Sequence, residues 1–265
     1  MRKVDVLGTV LHTPTVVGAA AEVAARARAG TRGFILHRDA HGLLCARRDP
    51  AVRAAEQTAC LVLPDGMPLV WLARIAGARD AERVYGPDLM AAVMAGPPLR
   101  HALIGGAPGV ADRLAEVLTA RFPHQRIVGA LCPTITEPSQ PDSGVAATVD
   151  AMEADIAWIS LGTPKQDLWM ATHRPMLRTP VLIGCGAAFG FLAGMVPQAP
   201  PWMRRSGLEW LFRLLCEPRR LAGRYGRTVP LFAILALGWC LRRAVSRASS
   251  YTASKADTPP ADRAS

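Results

Sequence analysis

The residues best suited to chemistry stand directly after short apolar runs. Asp65 follows one of them in "LVLPDGMPLVW", residues 61–71, set between Pro64 and Gly66. A carboxylate there is either a turn residue, since Asp before Gly is ordinary turn chemistry, or a group delivered to a ligand. Three glycine-rich loops follow other apolar runs: "GGAPG" with Gly105, Gly106 and Pro108, "GTPKQ" with Gly162, Thr163, Lys165 and Gln166, and "GCGAAFG" with Gly186. Such loops present backbone N–H groups, and the first two run into a predicted helix N-terminus, which favours an anion such as a phosphate. Lys165 can meet a phosphate as a point charge, and Gln166 can bond a sugar or phosphate oxygen. "ERVYGPDLM", 82–90, adds Arg83, Tyr85 and Asp88 before another helix. A tight turn explains any one of these loops, but together they predict a cleft for a nucleotide or nucleotide-sugar.

The elements that must position these residues alternate strand and helix, as in a parallel α/β sheet. Strands are predicted over 4–10, 33–37, 60–63, 101–104, 126–130, 156–160 and 181–185, and helices over 17–29, 41–49, 86–94, 110–121, 143–153 and 165–173. The fold class is α/β: a mainly parallel, Rossmann-like sheet flanked by helices, with a C-terminal helical, membrane-associating appendage. Open sheets of this kind bind ligands beyond the carboxyl ends of their strands, where all four loops fall. The N-terminus, broken by Asp5, His12 and Pro14, reads as a first strand and helix and not as a signal peptide.

Composition limits the remaining classes. With 265 residues, half of them apolar, the chain can close a large core. Six scattered cysteines show no ligand-like spacing with the six histidines, which disfavours disulfides or structural zinc and suits reduced thiols in the cytosol. No G-x-G-x-x-G follows the first strand, so a nicotinamide oxidoreductase is poorly supported.

Of the net charge of +10, residues 202–247 supply eight, through ten arginines against Glu209 and Glu217. Trp202, Trp210, Phe212, Phe232 and Trp239 lie among them. Arginine interleaved with aromatic rings suits an anionic membrane surface or a nucleic acid. The apolar run 229–241 is short of the roughly 20 residues that cross a bilayer, so it reads as interfacial or as a core helix. Ser206 three residues before Glu209 has the capping-box pattern and predicts a helix over 206–218. Leu208, Leu211, Phe212 and Leu215 would share its apolar face, with Arg213 off it. The organisation expected is a core over 1–198, a basic appendage over 199–245, and a disordered tail over 246–265.

"LPDGMPLVW", "ERVYGPDLM", "GGAPGVA", "LGTPKQDLWM", "GCGAAFGFLAG" and "QAPPWMRRSGLEWLFRLLCEPRRL" stand in the order and at about the spacing of the WecG/TagA/CpsF glycosyltransferases, glycosyltransferase family 26, which the chain resembles from about Val4 to Arg224. The resemblance implies an inverting enzyme that moves a sugar, such as N-acetylmannosamine, from a UDP-sugar to a polyprenyl-diphosphate-linked glycan at the inner face of the cell membrane. It implies no cofactor and no metal, and no D-x-D motif occurs in the chain. By the same resemblance Asp65 is the general base, Gln166 and Arg83 line its pocket, and Gly105, Gly106, Pro108, Gly162, Thr163, Lys165 and Gly186 bind the donor. His41, Tyr85, Arg213 and Arg220 would contact acceptor or diphosphate, the last two from a lid. Nucleic acid is not an implied partner; a homo-oligomer is compatible. The chain departs from the pattern at Leu36 and Arg38, where relatives commonly carry Thr and Asn, and at Gly190, where many carry Asp. These departures fit a second reading, a non-catalytic UDP-sugar-binding or scaffold protein.

Overall fold

A computed structural model describes residues 1–256, with side chains through Ser246. The chain opens with β1 (Lys3–Val6), β2 (Thr9–His12) and α1 (Val16–Arg28). There follow β3 (Gly33–Arg38), α2 (Ala40–Arg48), α3 (Pro50–Thr58), β4 (Leu61–Pro64), α4 (Met67–Ile75), α5 (Gly86–Met94), β5 (Arg100–Gly105) and α6 (Val110–Arg121). Then come β6 (Arg126–Leu131), α7 (Ser143–Ala151), β7 (Ile156–Ser160), α8 (Lys165–His173), β8 (Val181–Gly184) and α9 (Ala188–Leu192). Beyond the sheet lie α10 (Pro201–Arg205), α11 (Glu209–Cys216) and α12 (Pro218–Ala256).

The sheet has the order β4-β3-β8-β7-β5-β6, and every neighbouring pair is parallel. Its central strands are continuous apolar runs because helices cover both faces. On one face, residues of α1, α5, α6 and α9 close a core that includes Leu89, Leu114, Phe189 and the strand residues Ile35 and Trp158. On the other, α7 and α8 close a core around Trp169, Ile104 and Leu182. A third core lies beside β4, where Leu11, Leu43, Val62 and Leu69 meet Phe232 and Trp239 of α12. Local signals fix the helix starts: Thr15, Asp39, Asp49 and Asp142 each accept a backbone N–H of the helix that follows.

Three sequence expectations change. The strand predicted over 4–10 is an antiparallel hairpin outside the sheet, turned at Leu7 and Gly8, both at positive φ. The hairpin shields the sheet edge, and His12 Nδ1 accepts the Val62 N–H at 3.1 Å. Helices α3 and α4 occupy stretches left unassigned, each with a proline in its first turn. The apolar run 229–241 is one part of a 39-residue helix, of which Pro218–Ser246 is long and apolar enough to cross a membrane by length and composition alone. That helix continues through Ala256; the rest of the tail expected to be disordered, 257–265, lies outside the described residues.

Candidate functional site

Asp65 is placed by backbone geometry. The chain leaves β4 at Pro64, and Asp65 and Gly66 turn it into α4, with the Asp65 N–H donating to the Arg38 carbonyl at 2.8 Å. The end of the neighbouring strand β3 is thereby tied to the Asp65 backbone. Arg83 approaches from the segment before α5, held by the Val84 N–H on the Pro64 carbonyl at 2.8 Å and by its own Nε on the Asp65 carbonyl. Its guanidinium lies 4.1 Å over the Tyr85 ring.

The appendage closes this corner. Glu209, the first residue of α11, takes Arg83 Nη2 at 2.7 Å and the Tyr85 hydroxyl at 3.0 Å, and Gln198 donates to the same hydroxyl at 3.2 Å. The sequence had assigned Glu209 to a capping box. Instead Ser206 ends α10, Leu208 precedes α11 without a side-chain cap, and the Glu209 carboxylate is committed to Arg83 and Tyr85. Leu215 is exposed, so the apolar face predicted for this helix is only partly covered. Arg213 lies 5.6 Å over Phe191, with its Nε enclosed and lacking a hydrogen-bond partner, and its charge acts on Asp65. Arg204 reaches Asp88 at 3.9 Å. Arg220 is exposed and paired with Glu217, three residues earlier on its own segment.

Asp65 Oδ1 is enclosed without a hydrogen-bond partner and stands 3.6 Å from Arg83 Nη2. Burial pushes the carboxyl up to about 7; Arg83 and Arg213 oppose that, while Glu209 and Asp39 reinforce it. Its side chain still keeps 28 % of its surface, so solvent reaches part of it. Burial likewise raises the Tyr85 hydroxyl, which stays protonated. His37, at the end of β3, donates from Nδ1 to the Gly184 carbonyl at 2.8 Å; burial lowers it to about 4, so its enclosed Nε2 carries a lone pair.

The glycine loops meet along the same sheet edge. Gln166 is buried: its Oε1 accepts the Gly186 N–H at 3.1 Å, and its Nε2 lies 3.5 Å from the Thr163 hydroxyl. It ties the loops after β7 and β8 together, a placement that an exposed helix start would not give. Ser160 Oγ donates to the Gly186 carbonyl, and the Gly106 N–H donates to the Ser160 carbonyl at 2.8 Å. Gly105 has no room for a side chain, since a Cβ would stand 2.7 Å from that carbonyl. The N–H groups of Gly106 and Gly186 are therefore spent within the protein. His41, half-buried on α2, has its ring nitrogens 3.9 and 3.7 Å from Cys45 Sγ. Pro108 and Lys165 are exposed, and Gly162 turns the chain at positive φ before α8.

The departures have physical accounts. Arg38 is fully buried and pairs with Glu56 at 2.6 Å and Asp167 at 2.5 Å, so its guanidinium is committed to α3 and α8. Burial works against its charge, and the two carboxylates more than offset that. Leu36 is core, and at Gly190 any Cβ would stand 2.8 Å from Val196. Among the described residues, no group of three His, Cys, Asp or Glu side chains could hold a metal ion.

A six-stranded parallel sheet with an Asp65–Arg83–Glu209 cluster at its carboxyl edge, covered by a basic helical appendage, defines an α/β protein of the open-sheet class. The chain belongs to the Glycosyl transferase WecG/TagA/CpsF family, whose profile matches residues 4–246. It is similar to the N-acetylglucosaminyldiphosphoundecaprenol N-acetyl-beta-D-mannosaminyltransferase of Bacillus subtilis strain 168, 28 % identical over 60 % of this chain and 62 % of that protein. The Bacillus spizizenii strain W23 protein of the same name is 27 % identical, over 66 % of this chain and 68 % of its own length. The matched region thus spans about two thirds of these relatives.

Proposed function

We propose that the chain is an inverting glycosyltransferase that moves a hexose such as N-acetylmannosamine from a UDP-sugar to a polyprenyl-diphosphate-linked acceptor, without a metal ion, at the inner face of the cell membrane. The observation that carries this reading is Asp65 Oδ1, enclosed and lacking a hydrogen-bond partner just beyond the carboxyl end of β4. A carboxyl pushed up to about 7 is well matched to removing a proton from an acceptor hydroxyl at neutral pH. The names of the relatives, which specify an undecaprenol-linked acceptor, support the class of substrate.

The roles divide by position. Asp65 takes the acceptor proton as the hydroxyl oxygen attacks the anomeric carbon from the face opposite the leaving UDP. Charge growing on the diphosphate is met by cationic side chains, for which Arg213, with its unpartnered Nε beside the cleft, is best placed. Gln166 holds the Gly162–Thr163 and Gly186 loops in the shape that receives the donor. Its amide is committed to those loops, so it acts through them.

UDP-sugars are screened with a polyprenyl-diphosphate-linked N-acetylglucosamine acceptor, with and without a chelator. Transfer with at least one donor is expected, lost on the order of a hundredfold or more in Asp65→Asn, with UDP affinity retained. Arg38 and Gly190 favour a second reading, a UDP-sugar-binding protein without turnover. UDP binding with no transfer from any donor would select it.

A further inference from the structure

Glu209 lies in the appendage, yet its carboxylate sits at the Asp65–Arg83 corner: Oε2 takes Arg83 Nη2 at 2.7 Å, and its side chain is 13 % exposed. Asp65 Oδ1 stands 3.6 Å from the same nitrogen, beyond hydrogen-bond reach. Two carboxylates compete for one guanidinium, and Glu209 holds it. The Nε bond to the Asp65 carbonyl and the Tyr85 ring beneath fix the orientation of the fork.

We propose that Glu209 is a positioning residue that holds Arg83 off the Asp65 carboxylate, so that a docked appendage leaves Asp65 without a hydrogen-bonded cation and able to accept a proton. This rests on the reading of Asp65 as the base. A carboxylate bonded by a guanidinium is a much weaker base, because the nearby positive charge favours its ionised form. The charged groups that bear on Asp65 come from every side of the corner. Asp39 lies at the start of α2, Arg83 before α5, and Glu209 and Arg213 on α11. Of these, Glu209 is the one that both repels the Asp65 charge and occupies its competing cation. With the appendage undocked, Arg83 is released to Asp65, and the site is left with a quenched base. Docking of α11 and readiness of the base are one event.

The test is a carbon-13 NMR titration of the aspartate carboxyls in the full chain, with Asp65 assigned by its loss in Asp65→Asn. Glu209→Gln keeps the shape and removes the charge. The Asp65 titration is expected to fall by about one pH unit or more, and the acid limb of kcat/KM for transfer to the polyprenyl-diphosphate acceptor should move by the same amount. Tyr85→Phe, which removes one of the Glu209 bonds and no charge, should move it much less. An Asp65 that titrates in Glu209→Gln as in the wild type, or higher, overturns the proposal. So does wild-type Asp65 titrating below about 5, a result that needs no variant to fold. Full turnover in Asp65→Asn would sink the base reading instead. Whether Glu209 holds Arg83 is read separately from Arg83→Lys in the Glu209→Gln background, which should reverse most of the fall if Arg83 has moved onto Asp65. It should leave the fall unchanged if that is the lost Glu209 charge alone, an outcome that overturns the proposal.

Discussion

A carboxyl that stays protonated to about neutral pH leaves a mark on stability as well as on turnover. Asp65 has its folded-state value raised to about 7, chiefly by burial. The folded protein therefore binds that proton more tightly than the unfolded chain does. Its stabilising contribution is complete below the ordinary aspartate range near 4 and is lost as pH rises through about 7. Asp65→Asn cannot ionise and should escape that loss. Its unfolding midpoint is expected to exceed that of the wild type at pH 8, by on the order of 2 kcal/mol in unfolding free energy, and the gap should close toward pH 4. A midpoint for Asp65→Asn below the wild type at pH 8 would show that the carboxylate is well stabilised where it stands. The same titration predicts a transfer rate that rises between about pH 6 and pH 8, as the base is freed of its proton.

Between elements, the main polar tie is Arg38 of β3, which joins Glu56 of α3 to Asp167 of α8 in a buried triad behind the sheet edge. Arg38→Leu would leave two carboxylates enclosed without their cation, and should cost about 3–5 kcal/mol, read from urea unfolding at pH 7. A loss below about 1 kcal/mol would mean that water reaches the triad. This tie was not legible in the sequence, because Arg38 and Asp167 lie 129 positions apart and nothing local marks them as partners. What was legible was periodic or local. The strands from β3 onward and helices such as α5, α6 and α8 lie within a residue or two of prediction, since apolar runs between helical patterns leave little choice of fold. The hairpin was missed because a single glycine within an apolar run is a weak turn signal, and its two-residue turn also needs Leu7 at positive φ, which nothing in the sequence marks. Asp65 stands out in the sequence because it follows an apolar run, and Arg83 and Tyr85 because they belong to an ordered block. Glu209 was misread because a cap is a local signal and its true partners are 126 and 124 positions away.

On the scale of the whole molecule, charge and shape fall on the same side. The long helix α12 buries Leu221, Thr228, Phe232 and Trp239 and exposes Ile234, Leu237, Leu241 and Val245. Those four share a face by three- and four-residue steps, and seven-residue steps back from Ile234 reach Arg227 and Arg220, both exposed. A spanning helix would have to surrender the contacts of Phe232 and Trp239 with the core, so its open face is better suited to lying in an anionic interface. Apolar side chains entering the interface contribute roughly 1.5–3 kcal/mol each when fully buried, and each arginine near an anionic surface contributes about 1 kcal/mol that salt screens. Ile234→Glu with Leu241→Glu should therefore weaken binding to phosphatidylglycerol–phosphatidylcholine vesicles by at least about tenfold. The unfolding midpoint should change little, because both side chains are exposed. Raising salt to 0.5 M should weaken wild-type binding as well, and should leave a residual affinity in the wild type that the double variant lacks. Binding abolished by salt in both proteins would assign the surface to arginine alone. Binding unmoved by the double substitution would place the lipid contact on another face.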